Sequence, residues 1–223
     1  MSSKLIICSN HLGNIDDLPR RTVKALHDAD LVLCEDTRTC ARLFSSLGIK
    51  KPLKSCYSHN EQKRIEELKK IIKNKDITVA LISEAGMPLI SDPGSRLVQF
   101  FHDQSLSVQV IPGPSAFLSA VVMSGLSCDH LRFVGFWPRK KGKQQLLIDF
   151  IKDNLGETTV FYESPYRVIK TLEFIAKGYP EANIFVLREY TKKYEEYWKG
   201  NILDVIYKMK IATIKGELTV VLG

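Results

Sequence analysis

The chain has 223 residues, 44% of them hydrophobic, and a formal net charge of +7 from 32 basic and 25 acidic residues. That composition supports a packed core, and no apolar run approaches the roughly 18 residues of a membrane-spanning helix, which sets aside disorder and a helical membrane protein. Five cysteines, Cys8, Cys34, Cys40, Cys56 and Cys128, form no C-x-x-C pair, so reduced thiols in a cytosol are expected, with no metal site.

The length allows one large domain or two of about 110 residues. Residues 1–112 hold 16 basic and 13 acidic side chains, and residues 113–223 hold 16 and 12. The excess is spread over both halves, which favours an anionic partner without naming one. Met1 to Ile7 runs straight into a strand, so no signal peptide is expected.

Lys4 to Ser9 reads as the first strand, followed by the loop Asn10-His11-Leu12-Gly13-Asn14. Asp16-Asp17-Leu18-Pro19 then opens a helix to about Ala29, with Val23, Leu26 and Ala29 on one face. Leu31 to Cys34 is the second strand and runs into Glu35-Asp36-Thr37-Arg38. Two acids beside an arginine at a strand end are either a catalytic cluster or an ion pair with a helix cap at Asp36 or Thr37. A helix over 38–47 ends at Gly48. Leu53 to Tyr57 is a short strand, and Asn60 is placed to cap a charged helix over 61–74. His59, alone on that loop, is most simply a hydrogen-bonding group.

Residues 77 to 116 carry the densest signal. The apolar run Ile77 to Ile82 leads to Ser83-Glu84-Ala85-Gly86-Met87-Pro88-Leu89-Ile90-Ser91-Asp92-Pro93-Gly94, and the run Val108 to Ile111 leads to Pro112-Gly113-Pro114-Ser115-Ala116. Two apolar runs flanking a helical pattern predict a βαβ unit with a parallel sheet, whose ligands bind beyond the carboxyl ends of the strands. Ser91-Asp92-Pro93 also reads as a helix start.

A helix over 114–124 ends near Gly125. The strand Leu131 to Trp137 meets the densest basic run, Pro138-Arg139-Lys140-Lys141-Gly142-Lys143, which reads as a phosphate-contacting loop. Thr158 to Tyr162 is a strand, Ser164-Pro165 starts a helix to about Lys177, and Asn183 to Leu187 is another strand. The alternation of Tyr190, Lys192, Tyr194, Glu196 and Trp198 fits a strand or the start of a helix; a helix over 201–209 and a strand over 217–222 close the chain. Neither G-x-G-x-x-G after the first strand, nor G-x-x-x-x-G-K-[ST], nor H-E-x-x-H occurs, against a nicotinamide site, a P-loop and a zincin. The expected architecture is α/β: two α/β domains, 1–112 and 113–223, with a ligand cleft between them.

Seven motifs in order resemble the tetrapyrrole methylase superfamily: Cys34 to Arg38, Ser83 to Gly94, Ile111 to Ala116, Gly135 to Lys140, Phe161 to Arg167, Arg188 to Lys192 and Lys215 to Glu217. Within it they are similar to the branch that 2′-O-methylates a ribose of 16S ribosomal RNA. The resemblance implies a methyltransferase fed by S-adenosyl-L-methionine, RNA or the small ribosomal subunit as substrate, a homodimer and a cytoplasmic setting. It implies cofactor binding by Ser83, Glu84, Gly86, Met87, Pro88, Leu89, Ile90, Ser115, Ala116, Tyr162, Glu163, Gly216 and Glu217. A ribose hydroxyl needs help to lose its proton, which makes Glu35 or Asp36, oriented by Arg38, the candidate base, with Glu189 second. Arg139, Lys140 and Lys141 are candidate phosphate anchors, with Arg167 and Lys192 as helpers. The family's first loop usually reads Thr-Pro-Ile-Gly-Asn; here it has lost its proline and gained His11. Competing readings are a methyltransferase acting on a small tetrapyrrole, a non-catalytic RNA-binding or assembly protein, and a metal-dependent hydrolase using Glu35, Asp36, Glu84 and Asp92.

Overall fold

A computed structural model describes residues 3–223. It divides into two compact units, the first ending at Pro114 and the second running from Ser115 to Gly223.

The first unit is a five-stranded sheet of β1 (Lys4–Cys8), β2 (Leu31–Cys34), β3 (Leu53–Ser55), β4 (Thr78–Ile82) and β5 (Ser107–Ile111) in the order β3-β2-β4-β1-β5. Every pairing is parallel. The central strands are near-continuous apolar runs because both faces are covered. Helices α1 (Arg20–Asp28) and α2 (Thr37–Leu47) pack Leu26 and Phe44 against Ile6, Val32 and Ile82. Helices α3 (Glu61–Ile72) and α4 (Ser95–Asp103) pack Leu68, Leu97 and Phe101 against Leu5, Leu33 and Leu81 on the other face. With all strands parallel, the loops after β1, β2, β4 and β5 share one edge.

The second unit contains α5 (Ala116–Ser124), β6 (Leu131–Phe136), α6 (Lys141–Asp153), β7 (Thr158–Glu163), α7 (Val168–Gly178), β8 (Asn183–Arg188), β9 (Glu196–Asn201), α8 (Ile202–Lys210) and β10 (Leu218–Leu222). Its sheet order is β6-β7-β10-β8-β9. Only β6 and β7 run parallel; the other pairings are antiparallel. Alternate residues feed opposite cores: Val220, Phe161 and Val186 meet Val168, Leu172 and Val205, while Val221, Val160 and Phe185 meet Ala120 and Val121 of α5.

Several boundaries differ from the sequence reading. Ile15–Asp17 forms a separate 3-10 turn and α1 starts only at Arg20, because Pro19 pushes Leu18 out of the helical region, to ψ 120°. Strand β3 stops at Ser55. Asn60 caps nothing; its amide turns back to Ser55 O and accepts from Tyr57 N. Ser91-Asp92-Pro93 does not start α4. Leu89 and Ser91 hold φ values of 70° and 69°, which no right-handed helix includes, and the helix begins at Ser95. Its cap comes from α3: the buried Glu61 Oε1 accepts from Leu97 N at 2.9 Å.

In the second unit, Lys141-Gly142-Lys143 are not loop but the first turn of α6, which packs Leu147, Ile148 and Ile151 into the core at helical spacing. Ser164-Pro165 makes a turn, with Arg167 N and Val168 N both donating to Ser164 O, and α7 starts at Val168. The strand expected from Tyr190 begins at Glu196, because Glu189 and Thr191 take φ values of 48° and 63°. Among the described residues no helix is long and apolar enough to cross a membrane.

Candidate active site

The carboxyl edge of the first sheet gathers most of the unit's sequence signals. The loops after β1 and β4 are stitched together: Asn10 N donates to Gly86 O at 2.8 Å, and Asn10 Nδ2 donates to Ser83 O and Glu84 O, each at 3.0 Å. Ser83 Oγ in turn donates to Gly86 O at 2.9 Å. The loop after β5 closes onto them. A Cβ at Gly113 would lie 2.1 Å from Ser9 Oγ, so that approach is open only to glycine.

Cys34, Glu35 and Asp36 leave β2 at this edge, and the two acids behave differently. Asp36 is the N-cap of α2: Oδ1 accepts from Arg38 N at 2.8 Å, and the Arg38 guanidinium grips both oxygens, at 2.6 Å for Nη2–Oδ2. Those bonds hold its carboxyl at about 2. Glu35 is raised instead, first by burial and then by the Glu84 charge. Asp92, displaced from any capping role, is raised to about 7 by burial, Glu35 and Glu84. Three carboxylates thus face a common space with little cationic compensation, an arrangement that costs stability and characterises reactive sites. The Ser-Asp-Pro context of Asp92 reads as a cap, so the sequence does not place it beside Glu35 and Glu84.

Beside this group lies a cavity of about 370 Å³ bounded by Ile15, Cys34, Cys40, Leu43 and Ile82, with His11, Asp36 and Glu84 at its edge. The Cys34 and Cys40 side chains hydrogen-bond to each other, and that contact with burial holds Cys34 protonated. His11 Nδ1 is buried without a partner among the described residues, and burial lowers its pKa.

The second unit's candidates are otherwise engaged. Glu163 is fully buried and accepts from Arg167 Nη2 at 2.6 Å, Thr171 Oγ1 at 2.7 Å and Ser164 N at 2.6 Å. Arg167 also donates to Trp137 O. Tyr162 packs edge-on against Phe133 and Phe136. Glu189 Oε1 accepts from Glu217 N at 2.8 Å, and Lys192 bridges Glu189 and Glu217. Gly216 lies beneath this cluster at φ 88°, where a Cβ would fall 2.3 Å from the Glu189 carboxyl carbon. Ser115 is the residue before α5 and makes no side-chain cap. Arg139, Lys140 and Lys141 are exposed. His59 is exposed and edge-on to Tyr57. Among the described residues, no group of three or more His, Cys, Asp or Glu side chains is placed to hold a metal ion.

The fold and this edge define an α/β protein whose crowded carboxylates lie on loops at the carboxyl ends of a parallel sheet. The profile of the Tetrapyrrole (Corrin/Porphyrin) Methylases matches residues 6–206, and the chain belongs to that family. It is an S-adenosylmethionine-dependent methyltransferase. It is 40% identical to the Ribosomal RNA small subunit methyltransferase I of Thermotoga maritima, over 99% of this chain and 98% of that one. Among solved structures it superposes on a diphthine synthase with a TM-score of 0.74 at 16% identity, covering 99% of this chain and 90% of that one. A uroporphyrin-III C-methyltransferase of Thermus thermophilus, complexed with S-adenosyl homocysteine, superposes with a TM-score of 0.65 at 14% identity, covering 100% and 97%. Those two likenesses concern the fold; the two proteins are named for different reactions, so the fold does not choose the acceptor.

Proposed function

We propose that this protein transfers a methyl group from S-adenosylmethionine to a ribose 2′-hydroxyl of small-subunit ribosomal RNA. The observation that carries the reading is the 40% identity along essentially the whole of both chains with the Thermotoga ribosomal RNA small subunit methyltransferase I. The basic Arg139-Lys140-Lys141 segment suits a polyanionic acceptor better than a small carboxylated ring system.

The residues fit the cofactor. The loop Ser83 to Ile90 offers neutral backbone groups, the half-buried Met87 and Leu89, and the exposed Ile90, suited to an adenine ring and a thioether. Glu35, Glu84 and Asp92 favour a cation near them, and a sulfonium is one. When bound, S-adenosylmethionine supplies an electrophilic methyl group. Ser83, Glu84, Gly86, Met87, Pro88, Leu89, Ile90, Ser115, Ala116, Tyr162, Gly216 and Glu217 are the proposed cofactor residues, and Glu163 acts by holding Arg167 and the turn after β7.

The chain's own task is to orient the ribose hydroxyl and accept its proton. Glu35 and Asp92 are the proposed acceptors, because their carboxyls are raised toward neutrality, whereas Asp36 shapes the edge by capping α2. Lys192 and Arg167 serve as positioning groups, being tied into ion pairs. A cytoplasmic homodimer fits the five free thiols and the exposed Leu118 and Val122 of α5.

The test is methyl transfer from radiolabelled S-adenosylmethionine to small ribosomal subunits, followed by alkaline digestion. One label per particle in an alkali-resistant dinucleotide is expected, because a 2′-O-methyl group blocks cleavage at that linkage. Label that stays alkali-labile, or that enters only small molecules, would overturn the reading. Calorimetry with S-adenosylhomocysteine gives the parallel check on the cofactor site, with one ligand expected per chain.

A further inference from the structure

We propose that the cavity beside β2 and β4 receives the base of the acceptor nucleotide, turned out of its RNA stack, with His11 reading its edge. This rests on the ribose-methylation reading and adds to it a specificity site within the first unit.

Three observations converge. The first is the cavity's size and lining. About 370 Å³ lies at the small end of ligand sites, and the walls formed by Ile15, Cys34, Cys40, Leu43 and Ile82 are apolar. Such walls suit the faces of one heterocycle and offer nothing to a phosphate. The second is unspent hydrogen-bonding capacity. Asn10 at the same rim is fully used, its amide on Ser83 O and Glu84 O and its Oδ1 accepting from His11 N. Asp36 is held by Arg38. His11 Nδ1, by contrast, is buried and makes no hydrogen bond among the described residues. Buried polar atoms are normally satisfied, and a base edge can satisfy this one. Burial keeps the ring neutral, so one nitrogen donates and the other accepts.

The third is location. Cys34 and Asp36, which flank Glu35, and Glu84 all line the cavity. A base seated there brings its own ribose to the carboxylates that accept the hydroxyl proton. At the mouth, Thr39, Arg42 and Ser46 are exposed at helical spacing along one face of α2. Arg42 stands where the flanking phosphates would enter. Enzymes that act at single nucleotides read an extruded base in this manner, with apolar contacts to its face and hydrogen bonds to its edge.

The experiment compares two substrates once the methylated position is mapped: the native RNA in small subunits, and the same RNA with an abasic ribose at that position. For the wild-type enzyme kcat/KM should fall about 10- to 100-fold on the abasic substrate. Thr39→Trp, at an exposed mouth position, should lower activity on the native RNA by a similar factor and treat the two substrates alike. His11→Phe should lose about fivefold or more on the native RNA and nothing on the abasic one. S-adenosylhomocysteine affinity, unchanged in both variants, shows that they are folded. Equal wild-type activity on both substrates, or full discrimination retained by Thr39→Trp, overturns the proposal. Failure of the ribose reading itself gives a different result, no alkali-resistant label on the native RNA.

Discussion

Three carboxylates at the carboxyl edge of the first unit are treated in the opposite way to those of the second. In the second, Glu163 is clasped by Arg167 and Thr171, Glu189 and Glu217 share Lys192, Glu196 meets Arg188 and Glu157 meets Arg132. At the carboxyl edge of the first, Glu35, Glu84 and Asp92 crowd one another, and two of them are raised toward neutrality. Paired charges hold turns and strand ends in place. Crowded charges cost stability, and a fold keeps them where a proton or a cation must be handled. Under the proposed function, the crowded carboxylates of the first unit handle the proton, and the paired ones of the second hold the turns that present Tyr162, Gly216 and Glu217.

The largest effect should come from removing the crowded carboxylates. Glu35→Gln and Asp92→Asn are each expected to lower kcat by about 10² to 10⁴, the range of a general base, with S-adenosylhomocysteine affinity held within a few-fold. The wild-type rate should rise with pH toward a plateau above about 7, where Asp92 loses its proton. Asp92→Asn should flatten that limb. A double variant that keeps its turnover would break the comparison outright.

Glu163 probes the other side. Its carboxylate is fully buried and its main partner is a cation, so Glu163→Ala leaves Arg167 uncompensated. A loss of about 3–5 kcal/mol in unfolding free energy is expected, read by urea denaturation. A Glu163→Gln variant that keeps the hydrogen bonds to Ser164 N and Thr171 should recover part of it. If Glu163→Ala instead left stability intact and abolished only cofactor binding, Glu163 would belong with the chemistry.

How much of this was legible depended on whether a residue's role was local. The parallel first sheet could be read from its continuous apolar runs, and the cap of α2 at Asp36 stands two residues from its partner Arg38. The assignment of Asp92 failed for the opposite reason. Its sequence context fits a helix cap, but the cap of α4 is supplied by Glu61, 36 residues earlier in the chain. No local pattern reports a carboxylate arriving from another helix. Nor could sequence alone reveal that Glu35 and Glu84, on different loops, raise Asp92. The same limit hid the bonds of Arg167 to Trp137 O and of Lys192 to Glu217, 30 and 25 residues away, although their ion pairs with Glu163 and Glu189 are local. Helix α6 is obscured for a different reason: the glycine inside Lys141-Gly142-Lys143 is a loop signal, although the apolar spacing that follows it is helical.

The cost of crowding can be measured directly. Asp92 titrates near 7 when folded and at its ordinary 3.8 when unfolded, so between those values the folded state binds the extra proton. Stability from this group is therefore present at low pH, erodes as pH rises from about 4 to 7, and stays lost above that. The group is partly exposed, and solvent screening leaves about 1 kcal/mol of the effect. Asp92→Asn should then be more stable than wild type by about that amount at pH 8 and equal to it at pH 4. A variant less stable at pH 8 would mean that Asp92 has a structural partner and is not crowded.

The smallest effects belong to the exposed cations of the second unit. Arg139 and Lys140 precede α6, and Lys141 opens it at a helix N-terminus, where a positive charge opposes the macrodipole. A helix that ends in cations at its amino terminus gains nothing in stability from them, so their presence points to an external anion. Replacing each by alanine should leave the fold intact or slightly steadier. Each replacement should weaken RNA binding and reduce the slope of log K against log salt by about 0.7 to 0.9, one phosphate contact apiece. Additive losses across the three would mean independent phosphate contacts. An unchanged slope in the triple variant would take the RNA surface away from this segment and return it to the first unit, where Arg42 lies at the mouth of the cavity.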